Sequence, residues 1–168
     1  MENRINDENE IYGLGKCTLF HRVLDKTMNY FYNSRLISAM LYEPALVLDL
    51  GFEEHMSQAE LSNCAKQLLL SFSTNRQHID PFNLYFCNAS KNGDVMKKLH
   101  KTIPTIYNPE FPLNITSKSY LEIFDKKKLV YLTPHTNEVM TQYNPELVYI
   151  IGAIVDKVII SVILYSLY

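Results

Sequence analysis

The sequence predicts an α/β domain, a parallel sheet with helices on both of its faces. Short apolar runs carry the first part of this expectation. "ALVLDL" (Ala45 to Leu50) and "LVYIIGAIV" (Leu147 to Val155) lack polar alternation, as strands buried on both faces do. Segments of helical spacing lie between such runs, and strands alternating with helices imply parallel pairing through crossovers.

Each element has its own signal. Leu19, Phe20, Val23, Leu24, Met28 and Phe31 fall at helical spacing, and Leu36, Ile37, Met40 and Leu41 resume it after Asn33 and Ser34. Residues 16–44 are therefore expected to form lead-in helices, two in number, after a flexible acidic segment at 1–15. Pro44 breaks the pattern ahead of the first strand. Ser57 and Glu60 form a capping-box pair, setting a helix from about Ser57 to Arg76 with an apolar stripe of Leu61, Ala65, Leu68, Leu69 and Phe72. Asn63 and Gln67, four apart, project together from another side of it.

"FNLYFC" (Phe82 to Cys87) reads as the second strand, followed by a basic helix around Asp94 to Lys101. A loop punctuated by Pro104, Pro109 and Pro112 leads to a short helix near Tyr120 to Phe124. "KLVYLT" (Lys128 to Thr133) is the third strand, a helical piece is expected around Glu138 to Tyr143, and "LVYIIGAIV" is the fourth strand.

Composition narrows the function. The chain has 168 residues, 47% of them hydrophobic, enough for one domain with a sizeable core. Its net charge of −2 advertises no nucleic-acid partner, so any RNA contact must come from local patches. Two such patches exist: Lys97, Lys98 and Lys101, and Lys126 to Lys128, each equally well read as a solvated face. Cys17, Cys64 and Cys87 lie far apart, which suits free thiols in a reducing compartment, and the histidines are as scattered, so no metal site is expected. There is no GxGxxG or GxxxxGK[ST] loop and no arguable Ser or Cys nucleophile. Val158 to Tyr168 is about half the length of a spanning helix, so no membrane anchor is expected.

Ligands of open parallel sheets bind beyond the carboxyl ends of the strands. Asp49, Asn88, Thr133, Gly152 and Asp156 fall there. The first three read as loop or cap residues before they read as site residues. Gly152 is sharper, because a glycine in a buried strand marks a bulge or a close approach to a ligand. Asp156 can cap a following helix or serve chemistry, and Asn63 with Gln67 can be a solvated helix face; residue type alone leaves both open.

Longer strings say more. "LVLDLGFEEHMSQAELSNCAKQLLLSFSTNR", "DPFNLYFCN", "LVYLTPHTNEVM" and "VYIIGAIVDK", in this order, resemble the tRNA purine-9 N1-methyltransferase family of the SPOUT class. The second string is most similar to its mitochondrial branch, the methyltransferase subunit of protein-only mitochondrial ribonuclease P. The resemblance covers Tyr12 to Lys157. It implies a SPOUT fold whose C-terminal part threads a trefoil knot around S-adenosylmethionine, with cofactor contacts at Leu132, Thr133, Gly152 and Ile154. It also implies Asp156 as catalytic acid–base residue, with Asn63 and Gln67 near the target base. Ala153 stands where the family has a second glycine, a departure expected to narrow the cofactor's approach slightly.

The chemistry agrees with these roles. N1 of guanine bears a proton and is a poor nucleophile until a carboxylate within hydrogen-bond reach removes it. For adenine, whose N1 has a free lone pair, the acid would serve position and charge instead. The resemblance further implies precursor tRNA as substrate, a short-chain dehydrogenase and a metallonuclease subunit as partners, and a mitochondrial location, although no transit peptide is visible. Residues 45–157 then form the methyltransferase core, and 158–168, "VIISVILYSLY", an apolar tail unlike the family. The knot is expected to be incomplete, the cofactor pocket short of a wall, and the basic N-terminal arm absent. A non-catalytic scaffold that presents precursor tRNA, or an inactive truncated product, is the alternative expectation.

Overall fold

A computed structural model gives the structure of residues 25–136 and 138–155. Contacts divide the chain into two units, 1–31 and 32–168. Of the first unit the described part is Asp25–Phe31, the opening of helix α1 (Asp25–Tyr42). The second unit contains the rest of α1 and everything after it.

Strands β1 (Ala45–Asp49), β2 (Asn83–Cys87), β3 (Asn114–Ile115), β4 (Leu129–Leu132) and β5 (Val148–Gly152) form one sheet in the order β3-β2-β1-β5-β4, every pair parallel. Crossovers carry α2 (Gln58–Gln77) between β1 and β2, α3 (Asp94–Thr102) between β2 and β3, and the short α4 (Tyr120–Ile123) between β3 and β4. Alternate side chains serve two cores, as strand periodicity requires. Leu46, Leu48, Leu84, Phe86 and Ile151 meet Leu61, Leu68 and Phe72 of α2 and Val95, Met96 and Leu99 of α3. On the other face Val47, Cys87, Val148 and Ile150 meet Tyr120, Phe124 and Leu129. Central strands buried on both sides explain the uninterrupted apolar runs of the sequence.

Helix ends are secured by side chains. Ser57 Oγ accepts from Glu60 N while Glu60 Oε2 accepts from Ser57 N at 2.8 Å, the reciprocal box expected for α2. Ser119 and Glu122 repeat it on α4. The start of α3 is capped from a distance: Gly93 has no side chain to offer, and Glu53 Oε2 accepts from Asp94 N at 3.1 Å. A Cβ on Gly93 would lie 2.6 Å from that oxygen, so the glycine is what lets the Glu53 carboxylate approach.

Several expectations need correction. In its described part the lead-in region is one helix that runs through Asn33 and Ser34 rather than two. Neither residue costs enough helix propensity to break it, and there is no glycine or proline in the segment. No helix forms at 138–143; that stretch is irregular, with Val139 and Met140 exposed, so it has no apolar face to bury, and a helix this short is unstable alone. Instead the Tyr143 ring stacks on Tyr149, with centroids 5.3 Å apart. A fifth strand, β3, lies in the proline-punctuated loop, too short to show periodicity; Asn114 holds it through Nδ2, which donates to Asn83 Oδ1 at 2.7 Å. Lys128 ends a 3-10 turn, Lys126–Lys128, and β4 starts after it. The expected acidic start, the knot and the 158–168 tail lie outside the described residues.

The remote cap is testable. Glu53→Ala should lower stability by about 1 kcal/mol, the usual loss for a helix cap, while Glu53→Gln, which keeps an acceptor oxygen, should lose less than half of that. Urea denaturation of the three proteins checks the order.

Candidate functional site

Register brings the strand ends together. Asp49 of β1 pairs with Gly152 of β5, and Leu132 of β4 with Ile151, so Asp49, Gly152 and Thr133 sit side by side where the strands finish. The ladder continues one step further: Ala153 N donates to Asp49 O at 2.8 Å. The carbonyl of Ala153 in turn accepts from the Cys64 thiol of α2 at 3.3 Å. Both backbone groups of Ala153 are thus engaged, and its methyl joins Ile154 and Val155 against the larger core. Among the described residues the only non-glycine with positive φ is Asn88, so Ala153 bears no backbone strain in replacing a glycine.

Gly152 is required by space. A Cβ there would lie 2.5 Å from Tyr131 Oη and 3.3 Å from Phe52 Cε2. Beside it Asp49, 5% exposed, accepts through Oδ1 from Asn88 Nδ2 at 2.6 Å and from Gly51 N at 3.0 Å. Asn88 reaches it from a left-handed backbone, φ 54°, which Asn tolerates better than most residues. The surrounding weak acids stay protonated: burial, then the Asp49 carboxylate, then Tyr120 push the Tyr131 hydroxyl up to about 12, and burial followed by Asp49 pushes the Cys87 thiol up to about 11. Cys64 rises to about 11 through burial and then Glu53, which keeps its S–H available to Ala153 O. At this edge the described residues bring together the Asp49 carboxylate and the phenolic hydroxyls of Tyr120 and Tyr131.

The expected site residues can now be placed. Gly152 and Ile154 are on the β5 loop, Leu132 and Thr133 at the end of β4, all half-buried; Leu132 and Ile154 pack on the core, and Thr133 Oγ1 accepts from His135 N at 3.2 Å. Asn63 and Gln67 are exposed on α2, in the stripe next to Cys64, hence beside the loop that Cys64 holds. Asp156 lies outside the described residues and directly follows Val155. Sequence alone puts Asp49 and Asn88 at strand ends but reads them as loop or cap residues before site residues, and it gives Tyr131 no site role of its own. The available signal for Asp49 was an acid inside an apolar run, "LVLDL". Among the described residues no group of His, Cys, Asp or Glu could hold a metal, and no helix is long and apolar enough to cross a membrane.

A family model described as tRNA (guanine(9)-N(1))-methyltransferase TRM10/TRM10A matches residues 32–163. The chain belongs to the TRM10 family. A full-length spTrm10 complex with SAH superposes with a TM-score of 0.62 at 33% identity, covering 68% of this chain and 63% of that one. A dual-specific Trm10 from Thermococcus kodakaraensis, 20% identical with a TM-score of 0.52, shares the fold. The parallel sheet is thus that of the SPOUT-class TRM10 structures. By sequence the chain is 47% identical over 146 residues to the "Mitochondrial ribonuclease P protein 1 homolog" of Drosophila melanogaster, covering 87% of this chain and 33% of that protein. It is 36% identical over 142 residues to the human "tRNA methyltransferase 10 homolog C", covering 84% and 35%. The chain therefore spans about a third of the length of these TRM10 relatives.

The buried thiols make the domain sensitive to alkali. An unfolded thiol loses its proton near 9 and the folded ones near 11, so between these values the unfolded state binds fewer protons and stability falls as pH rises. Denaturation midpoints from pH 8 to 11 should decline, and less steeply in a Cys64→Ala/Cys87→Ala variant.

Proposed function

We propose that this chain carries the methyltransferase site of a TRM10 enzyme that methylates N1 of the purine at position 9 of tRNA, guanine being the base for which the family is described. One observation carries the reading: Leu132 and Thr133, the Gly152–Val155 loop and the Asn63–Gln67 stripe of α2 adjoin one another at the strand ends.

The residues present suit S-adenosylmethionine. Gly152 offers a surface without a side chain, bordered by Tyr131 and Phe52, and the Asp49 carboxylate favours a cation at the same edge. Leu132, Thr133, Gly152 and Ile154 would hold the cofactor, which supplies an electrophilic methyl group on a sulfonium centre. Protein groups do the rest. Asp156 takes the N1 proton of guanine as general base, leaving a lone pair on nitrogen, and Asn63 and Gln67 hold the base edge by hydrogen bonds so that N1 faces the methyl donor. Tyr131, kept protonated by burial, remains a donor beside Gly152.

A second role belongs to the same proposal. The name of the Drosophila relative supports action as a subunit of mitochondrial ribonuclease P and a mitochondrial location; precursor tRNA as substrate, with a short-chain dehydrogenase and a metallonuclease subunit as partners, is what the family resemblance adds to this proposal. Presentation of tRNA to such a nuclease needs binding but no methyl transfer.

Substituting Asp156 with Asn separates the two roles. Methylation of purine 9 should fall at least about a hundredfold, the scale for loss of a general base, while tRNA affinity and any support of 5′ processing stay within a few-fold. Unchanged methylation in that variant would remove Asp156 from the mechanism. For the cofactor edge, Gly152→Ala should leave stability within about 1 kcal/mol, because Tyr131 is 38% exposed and its hydroxyl can swing outward, yet should weaken S-adenosylmethionine binding at least tenfold in calorimetry.

A further inference from the structure

The groove between α2 and α3 has no part in the site described so far. It is lined by Lys66, Ser62 and Leu69 of α2 and by Lys98, Lys101 and Thr102 of α3, with no carboxylate among its walls. Lys98 and Lys101, three apart, share one face of α3 and border the same groove as Lys66. The hydroxyls are already engaged with their own helices: Ser62 Oγ donates to Gln58 O at 2.8 Å and Thr102 Oγ1 to Lys98 O at 3.2 Å. The donors left for a ligand are ammonium groups. Nearby Lys97 differs, since it pairs with Asp94 at 3.6 Å.

The place of the groove matters as much as its charge. At about 100° per residue, the circuit of α2 runs from Cys64, which holds the Ala153 carbonyl, to Gln67 and Asn63, then Lys66, then Ser62 and Leu69 in the groove. The polar pair therefore lies between the Gly152–Val155 loop and the lysines. We propose that this groove binds the phosphate backbone of the tRNA next to the base being methylated, with Lys66, Lys98 and Lys101 as the phosphate contacts. The inference rests on the tRNA methyltransferase reading and adds the direction in which the strand leaves the active site. The other basic cluster, Lys126–Lys128, is an exposed 3-10 turn whose N-cap is Asp125; it precedes β4, at the opposite end of that strand from Leu132 and Thr133.

The test compares full chains by tRNA binding at about 50 to 200 mM salt and by purine-9 methylation. Each phosphate contact contributes about 0.7–0.9 to the slope of log affinity against log salt. Lys66→Gln/Lys98→Gln/Lys101→Gln should reduce that slope by about 2 and the affinity at least tenfold, while the corresponding triple Arg variant keeps both and the thermal midpoint is unchanged in each. Wild-type affinity and slope in the Gln variant overturn the groove and leave the methyltransferase reading standing. An equal drop in Lys126→Gln/Lys127→Gln/Lys128→Gln marks general charge and overturns it too, as does unchanged tRNA binding with lost affinity for a polyglutamate peptide, which indicates an acidic protein partner. Lysine-dependent tRNA binding by a chain that transfers no methyl group supports the groove and sinks the catalytic proposal instead.

Discussion

The pairing of β1 with β5 is the constraint from which the site follows. These strands are far apart in sequence, and their register puts Asp49 next to Gly152 in the middle of the sheet. A one-residue slip would turn Val47 and Ile150 to the opposite core and move the Asp49 carboxylate off its edge. Slippage is opposed from both faces, because each strand contributes to both hydrophobic clusters. The bond from Ala153 N to Asp49 O then extends this register into the loop, and the Cys64 thiol fixes the loop to α2. Sheet register, loop and helix are one connected arrangement, and the proposed cofactor and base contacts depend on all of it.

Burial of Asp49 is the price of that arrangement. A carboxylate 5% exposed requires partners, and Asn88 and Gly51 supply them through a left-handed residue and a turn. Burial first and its charge second raise the pKa values of Tyr131, Tyr120 and Cys87, so among the described residues the edge combines the Asp49 carboxylate with neutral donors. Such a combination suits a ligand that is cationic in one part and rich in acceptors in another.

What the sequence made legible was what periodicity and caps can encode. The apolar runs of β1 and β5 announced strands buried on both faces, and Ser57 with Glu60 marked the start of α2 within a residue. The helix at 138–143 failed because composition suggested a helix where no core was available to receive it. β3 was hidden because two residues show no period and because its anchor is the side chain of Asn114 on Asn83, a contact visible only in three dimensions. Asp49 was hidden for a related reason: a carboxylate in a short run can cap a loop or line a site, and its burial decides which. For Asn63 and Gln67 the four-residue spacing correctly put both on one exposed face of α2, while their nearness to the Gly152 loop depends on Cys64.

Helix α2 gives the proposals their common frame. One shoulder meets the loop through Cys64, the next presents Asn63 and Gln67, and the next carries Lys66 toward α3. A net charge of −2 does not work against phosphate binding on the last of these, because salt at physiological strength screens exposed charges beyond about 8 Å. Charge at the groove is therefore set by its own lysines rather than by the average of the chain. The apolar side of α2, Leu61, Leu68 and Phe72, is buried in the core and cannot rotate without emptying it. The same packing that holds the domain together thus fixes the angle between the carbonyl of Ala153, the base-edge pair and the lysines, and a rigid helix is what allows a phosphate contact in the groove to bear on the position of a base near Gly152.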